Sequence, residues 1–234
     1  FNMVYDRDID KVMKRTQKRP LVTGVIAAED AGLQGVILAL AAVGIMGLAA
    51  NWAASALLAF SIFFYAVVYT IWLKRHTAQN IVIGGAAGAF PPVIGWMAVT
   101  GEATTLLPWL LFLTIFLWTP PHFWALALYR NEDYRLANIP MLPVTAGKAS
   151  TKKQMVFYTL ILVAVTLAIP LSTPTLGMVS LLAAAGLGGM FILHGLRVLR
   201  ADDDKIAMRM FGFSIMYLFA LFAAFLLDYW ILPH

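Results

Sequence analysis

Apolar residues run in long blocks broken at nearly regular intervals. Segments at roughly 30–50, 51–73, 80–100, 105–129, 154–171, 175–196 and 208–231 are each long enough for one membrane-crossing helix at about 1.5 Å per residue. The pattern predicts an all-α, polytopic transmembrane helix bundle of about seven spans forming a single domain. Within 80–100, Gly84 and Gly88 form a small-xxx-small face for close helix packing, and Pro91 with Pro92 predicts a kink. Pro120 and Pro121 predict another in the next span.

The polar breaks obey a second rule. Arg7, Lys11, Lys14, Arg15, Lys18 and Arg19 precede the first segment, and Lys74 and Arg75 follow the second. Arg130, Arg135, Lys148, Lys152 and Lys153 follow the fourth, and Arg197, Arg200, Lys205 and Arg209 follow the sixth. These are all 17 Lys and Arg residues, so every basic side chain falls in an alternate connection, while those near Asn51, Gly101 and Ser172 and the C-terminal tail have none. The positive-inside rule then puts the basic connections in the cytoplasm, or in the mitochondrial matrix if the protein is organellar. The expected location is a bacterial plasma (inner) membrane.

Composition agrees: mean hydropathy is +0.80 and charged residues make up 12% of the chain, about half the share of soluble proteins. The absence of cysteine excludes disulfides, thiolate metal sites and cysteine nucleophiles. A net charge of +5 reflects topology, and no basic stripe interleaved with aromatics points to nucleic acid. Because the chain opens with Phe1 and runs straight into charged residues, an N-terminal portion with further spans is expected ahead of it.

That opening, "NMVYDRDIDKVMKRTQKRP", therefore lies at one mouth of the bundle. Asn2, Asp6 and Asp10 are spaced by four and fall within about 80° of one another on a helix, with Asp8 pointing the opposite way. Two carboxylates on one stripe suit Mg²⁺, which takes one or two protein carboxylates and fills its shell with water and phosphate oxygens. Arg15 and Arg19 are guanidinium forks matched to phosphate. Equally, Asp6, Asp10 and Lys14 read as a surface ladder of i, i+4 pairs contributing a few tenths of a kcal/mol each.

The rest of that side favours chemistry. Lys74, Arg75 and Asn80 flank the second basic connection, and Glu132, Asp133 and Tyr134 lie in the third. No span carries Asp, Glu, Lys or Arg in its middle. A charged mouth over an apolar interior fits a substrate with a charged head and a hydrocarbon tail, each buried CH₂ contributing roughly 0.8 kcal/mol, and a prenyl diphosphate has that form.

"NMVYDRDIDKVMKRTQKRPL", "YTIWLKRHTAQNIVIGGAAGAFPPVIGW" and "TPPHFWALALYRNEDYRLANIPMLP" resemble, in order, the three signature stretches of the protoheme IX farnesyltransferase branch of the UbiA superfamily of intramembrane prenyltransferases. The resemblance covers nearly the whole chain. It implies a bundle of about nine spans, two of them ahead of Phe1. It also implies transfer of the farnesyl group of farnesyl diphosphate to a vinyl group of heme B, giving heme O and diphosphate, with Mg²⁺ as cofactor. The aspartate-rich motif of the family falls on Asn2, Asp6 and Asp10. The second acidic motif reads "RNEDY", which keeps Asp133 as a candidate metal ligand but has Tyr134 at its final position. Asn138 stands where the branch usually has glycine.

The expected site is therefore Asp6, Asp10 and His122 for catalysis, and Asp6, Asp10 and Asp133 for metal. Asn2, Arg15, Arg19, Lys74, Arg75, Asn80, Asp133 and Tyr134 are expected to bind substrate. His122, about 10 Å below the rim, could ligate heme iron, accept a proton or position water, or else serve helix packing. The stretch from Arg130 to Lys153 is either a lid or a plain connector, and Asp202 to Asp204 read as a solvated loop ending in an N-cap. Expected partners are the lipid bilayer and an enzyme that oxidises heme O. Two alternatives compete. A UbiA-type enzyme for an aromatic acceptor such as 4-hydroxybenzoate would prefer a complete second aspartate motif, and a membrane transporter would need ionisable groups near the midplane.

Overall fold

The computed structural model describes residues 1–231. Residues 232–234, part of the C-terminal tail expected opposite the basic connections, lie outside the described residues. Among the described residues seven helices are long and apolar enough to cross a membrane: α1 (Ala28–Ala49), α2 (Trp52–His76), α3 (Asn80–Thr100), α4 (Leu106–Tyr129), α5 (Gly147–Ser172), α6 (Met178–Arg200) and α7 (Lys205–Ile231). The protein is an integral membrane protein built as a helical bundle.

α4 to α7 make the densest part, around Trp124, Leu128, Met155, Leu162, Phe191, Met210, Tyr217 and Leu221. Polar groups inside this apolar layer must find partners within it. Thr151, Thr159 and Thr166 donate to Gly147 O, Met155 O and Val163 O of their own helix at 2.9, 2.8 and 3.0 Å. Asp228, buried near the end of α7, accepts from the backbone N–H groups of Gly177 and Ser180 at 2.6 and 2.9 Å and so caps the start of α6. α1 packs chiefly on α2 and is mostly exposed.

Several boundaries differ from the sequence expectation. α5 begins at Gly147 rather than near 154, so Lys148, Lys152 and Lys153 ride on helical turns. Arg197, Arg200, Lys205 and Arg209 likewise lie on the ends of α6 and α7. Long basic side chains extend an apolar helix past the hydrocarbon by carrying their charge to water or to the next element. Lys148 pairs with Asp204 at 2.5 Å, and Lys152 donates to the carbonyl of Ala201 at 2.6 Å. Asp203 accepts from the N–H of Lys205 at 2.9 Å, the expected cap.

α3 is interrupted at Phe90, where Pro91 and Pro92 start a second helical piece, as expected from the missing donors. By contrast, α4 runs unbroken through Pro120 and Pro121, which are buried among its neighbours. Close helix approach uses Gly84 and Gly85: a Cβ on Gly85 would sit 2.9 Å from Thr119, whereas one on Gly88 would meet nothing within 4 Å.

The inner half of α2 is a π-helix over Phe64–Leu73, and the side-chain hydroxyl of Thr70 donates to the carbonyl of Tyr65 at 2.8 Å. Widening the turn brings Tyr65, Tyr69, Thr70 and Lys74 toward one side of α2. The connection after α4 is ordered as two short helices, Asn131–Leu136 and Leu142–Thr145. Asn138 between them has φ of 51°, a left-handed conformation that asparagine, like glycine, adopts at low cost.

Candidate functional site

The opening stretch forms two short helices, Asn2–Tyr5 and Arg7–Val12, joined at Asp6 with little loss of pitch. Asp6 N donates to Asn2 O at 2.9 Å and Asp10 N to Asp6 O at 2.8 Å, so Asn2, Asp6 and Asp10 keep their common stripe. Ile9 and Met13 anchor the segment in a second apolar cluster with Ile81, Ala127, Ile139 and Met141. This cluster binds the acidic stripe to α3, α4 and the connection after α4.

Charges lock the stripe to α2. Lys74 donates to Asp6 Oδ2, and Arg75 reaches Asp6 Oδ1 at 3.3 Å. Asn2 Nδ2 donates to Asp6 Oδ2 at 2.9 Å and to Thr70 Oγ1 at 3.3 Å. Arg19 Nη1 holds Asp10 Oδ2 at 2.7 Å. Asp8, expected to point the opposite way, is instead gripped by both terminal nitrogens of Arg75 at 2.9 and 2.8 Å, the same guanidinium that reaches Asp6. That fork holds the Asp8 carboxyl below its usual range.

Beneath this rim opens a cavity of about 870 Å³. Asn2, Asp10, Arg15, Arg19, Lys74, Asn80 and Tyr134 form its polar part. Tyr65, Tyr69, Ile81, Ile115, Trp118, Phe123, Ile139 and Met141, with Gly84, Gly85 and Gly88, form its interior. Among the described residues Arg15 makes no ion pair, so one cation on the wall is uncommitted. Burial pushes the Tyr134 phenol above its usual range, against the pull of nearby Arg15, so the hydroxyl keeps its proton.

Seven of the expected residues thus meet on one wall system, and four do not. Asp6 is fully buried behind Asn2, Lys74 and Arg75. Arg75 also donates to Tyr5 O at 3.0 Å, so its fork fastens the opening segment rather than facing the cavity. Asp133 lies outside the lining, with Arg130 at 3.8 Å, and its Oδ2 accepts no hydrogen bond. The structure does not bring it together with Asp6 and Asp10, and among the described residues no three His, Cys, Asp or Glu side chains converge as a metal cluster. His122 lies behind the wall, stacked between Trp118 and Phe211 at 4.1 and 4.4 Å, with Nδ1 on Ser214 Oγ at 2.6 Å. This is a packing arrangement between α4 and α7.

Sequence reasoning missed Tyr65, Tyr69 and Trp118 as wall residues. Nothing in an apolar run announces a π-helix, and aromatic residues in spans read as core or interface anchors.

The donor set fits Mg²⁺ held together with a diphosphate. Asp10 offers carboxylate oxygens on the cavity wall, where the fully buried Asn80 has an Oδ1 without any hydrogen-bond partner; Asp6, whose two oxygens are held by Asn2, Lys74 and Arg75, would have to exchange these partners to join them. Hard oxygen donors of this number match an ion that completes its shell with phosphate and water.

A charged rim above an apolar chamber inside a membrane bundle defines an enzyme that takes an amphiphile by its head and buries its tail. Residues 1–230 match the UbiA prenyltransferase family. The chain belongs to that family. It is 53% identical over 232 residues to the protoheme IX farnesyltransferase of Methylocella silvestris, covering 96% of this chain and 72% of that relative. Identity is 52% to the enzyme of the same name from Hyphomonas neptunium, covering 98% and 74%, and 50% to that of Erythrobacter litoralis, covering 100% and 77%. A solved structure from work on digeranylgeranylglyceryl phosphate synthase in membranes shares the fold, with a TM-score of 0.77 at 19% identity over 99% of this chain and 80% of the other.

Proposed function

We propose that this protein transfers the farnesyl group of farnesyl diphosphate to a vinyl group of heme B, with addition of water, giving heme O and diphosphate. The observation that carries the reading is the division of one cavity into a rim bearing Arg15, Arg19, Lys74, Asp10 and Asn80 and an interior of aromatic and aliphatic side chains.

Arg15, on the cavity wall without an ion pair among the described residues, would receive diphosphate oxygens directly, while Arg19 and Lys74 hold the acidic stripe. Asp6 and Asp10 would hold Mg²⁺ together with the diphosphate, and Asn80 Oδ1 is an uncommitted amide oxygen on the wall of the same cavity. The chemistry supplied by the bound ion is neutralisation of the negative charge that grows on the leaving group.

Cleavage of the allylic C–O bond leaves its electron pair on the diphosphate and a cation on the farnesyl C1. The π electrons of the heme vinyl group form the new C–C bond, and the cation then formed beside the pyrrole takes the oxygen of water, which releases a proton. The rim cations stabilise the departing charge in the transition state. The aromatic walls exclude water until the acceptor is in place.

Positive-inside asymmetry supports a rim that faces the cytoplasm, in a bacterial plasma membrane. A product this apolar stays in the bilayer, which favours hand-over to a membrane enzyme that oxidises heme O. Incubating the purified protein with heme B, 4-hydroxybenzoate, farnesyl diphosphate and Mg²⁺ tests the assignment. A heme product heavier by one farnesyl group plus one hydroxyl group is expected. Unchanged heme alongside a prenylated aromatic acid would transfer the assignment to an aromatic acceptor.

A further inference from the structure

The cavity wall contains a supported aromatic surface that the proposed chemistry has not yet used. Trp118 is partly exposed and lines the cavity; two contacts hold it directly, and two more hold the ring behind it. Its indole N–H donates to the backbone carbonyl of Ser214 on α7 at 2.8 Å. One face is covered by the His122 imidazole, 4.1 Å between centroids and 19° between planes. Phe211 backs the imidazole in turn at 4.4 Å and 22°. The His122 ring is itself pinned by Ser214 Oγ.

The hydrogen bonds also assign a tautomer to His122. Ser214 Oγ lies 2.6 Å from the carbonyl of Phe211 and 2.6 Å from His122 Nδ1. A hydroxyl has one proton to give, and a carbonyl can only accept, so Ser214 donates to Phe211 O and accepts from Nδ1–H. Nδ1 then carries a proton and the His122 ring is fixed in orientation between two rings. Three near-parallel rings thus run from α7 to the cavity, and the last of them is the wall.

Such a stack is out of proportion to the needs of an isoprenoid chain, which conforms to any apolar surface. It suits a rigid, planar π system, because aromatic pairs gain from offset stacking only when both planes are held. α3 also lines the cavity at Gly88, where a Cβ would meet nothing within 4 Å, so no side chain fills the space there.

We propose that Trp118 is the platform on which the macrocycle of the acceptor stacks, and that His122 and Ser214 are positioning residues which hold that platform. This rests on the heme acceptor assigned under Proposed function. It makes His122 a spacer in a ring stack rather than an iron ligand.

The test is titration of the purified protein with heme B, followed by Soret absorbance, beside titration with farnesyl thiodiphosphate, which binds without reacting. Trp118→Leu is expected to weaken heme binding by about tenfold and leave the analogue's affinity unchanged, while Trp118→Phe, which keeps a ring, stays close to wild type. The Soret maximum of bound heme is expected to stay in place in His122→Leu. Heme should quench more tryptophan emission in wild type than in Trp118→Phe, a comparison that holds even if Trp118→Leu does not fold. Unchanged heme affinity in Trp118→Leu, a loss confined to the diphosphate analogue, equal quenching, or a Soret shift in His122→Leu would each overturn the platform. Wild-type protein that binds no heme would instead overturn the acceptor assignment itself, and the platform with it.

Discussion

A Cβ placed on Gly84 would lie 2.2 Å from Cδ2 of Tyr69, so the ring of Tyr69 rests directly on the backbone of α3. Both residues line the cavity, and the contact sets how far α2 and α3 approach beside the rim. An aromatic ring cannot yield as a flexible side chain would. Gly84→Ala is therefore expected to cost about 1–3 kcal/mol and to displace Tyr69 from the wall. Thermal unfolding in detergent checks the first effect, and a lowered turnover of the folded fraction checks the second.

Gly88 offers the opposite case. It is helical, lines the same cavity and has open space where a side chain would go. Gly88→Val should leave the melting temperature nearly unchanged but fill part of the substrate chamber. The expected reading is a raised KM for farnesyl diphosphate or heme; a variant indistinguishable from wild type in both constants would place the substrates elsewhere.

Arg15 and Arg19 separate two duties of the rim cations. Arg19 is already committed to Asp10 at 2.7 Å, whereas Arg15 makes no ion pair among the described residues. Losing a charge-assisted contact to phosphate costs about 1.5–3 kcal/mol, so Arg15→Leu should weaken binding of farnesyl thiodiphosphate by about tenfold or more, with little change in stability. Arg19→Leu, by leaving Asp10 uncompensated, should lower stability as well. Equal behaviour of the two variants in both assays would contradict this division.

Asn138 holds φ at 51° in the ordered connection that carries Tyr134. Asn138→Gly should be tolerated with unchanged activity. A β-branched residue cannot adopt that conformation cheaply, so Asn138→Val is expected to cost about 1–2 kcal/mol and to disturb the cavity mouth, measured as lower melting temperature and turnover.

What the sequence revealed followed the physics it encodes. Seven spans were legible because hydrocarbon demands long apolar runs, and the side of the rim was legible because every Lys and Arg falls in alternate connections. Asn2, Asp6 and Asp10 were legible as one stripe because a spacing of four survives the small break at Asp6. What was hidden depends on three dimensions. The π-helix over Phe64–Leu73 leaves no mark on an apolar sequence, yet it places Tyr65 and Tyr69 on the wall. Ser214 lies 92 residues beyond His122, and nothing near either residue announces the pairing. Helix ends were misjudged around Lys148 to Lys153 because charge was read as loop, whereas a helix carries such side chains readily at its aqueous end.

The central claim is that Asp6 and Asp10, gathered at the rim, hold the ion that draws diphosphate from the isoprenoid. The most direct measurement is heme O formation by wild type, Asp6→Asn and Asp10→Asn across a series of Mg²⁺ concentrations, with each variant shown to be folded. A fall of about 100-fold or more in kcat/KM, with activity of the wild type abolished by chelation and restored by Mg²⁺, is the predicted result. Turnover near the wild-type rate in either variant, with the same dependence on Mg²⁺, would contradict it.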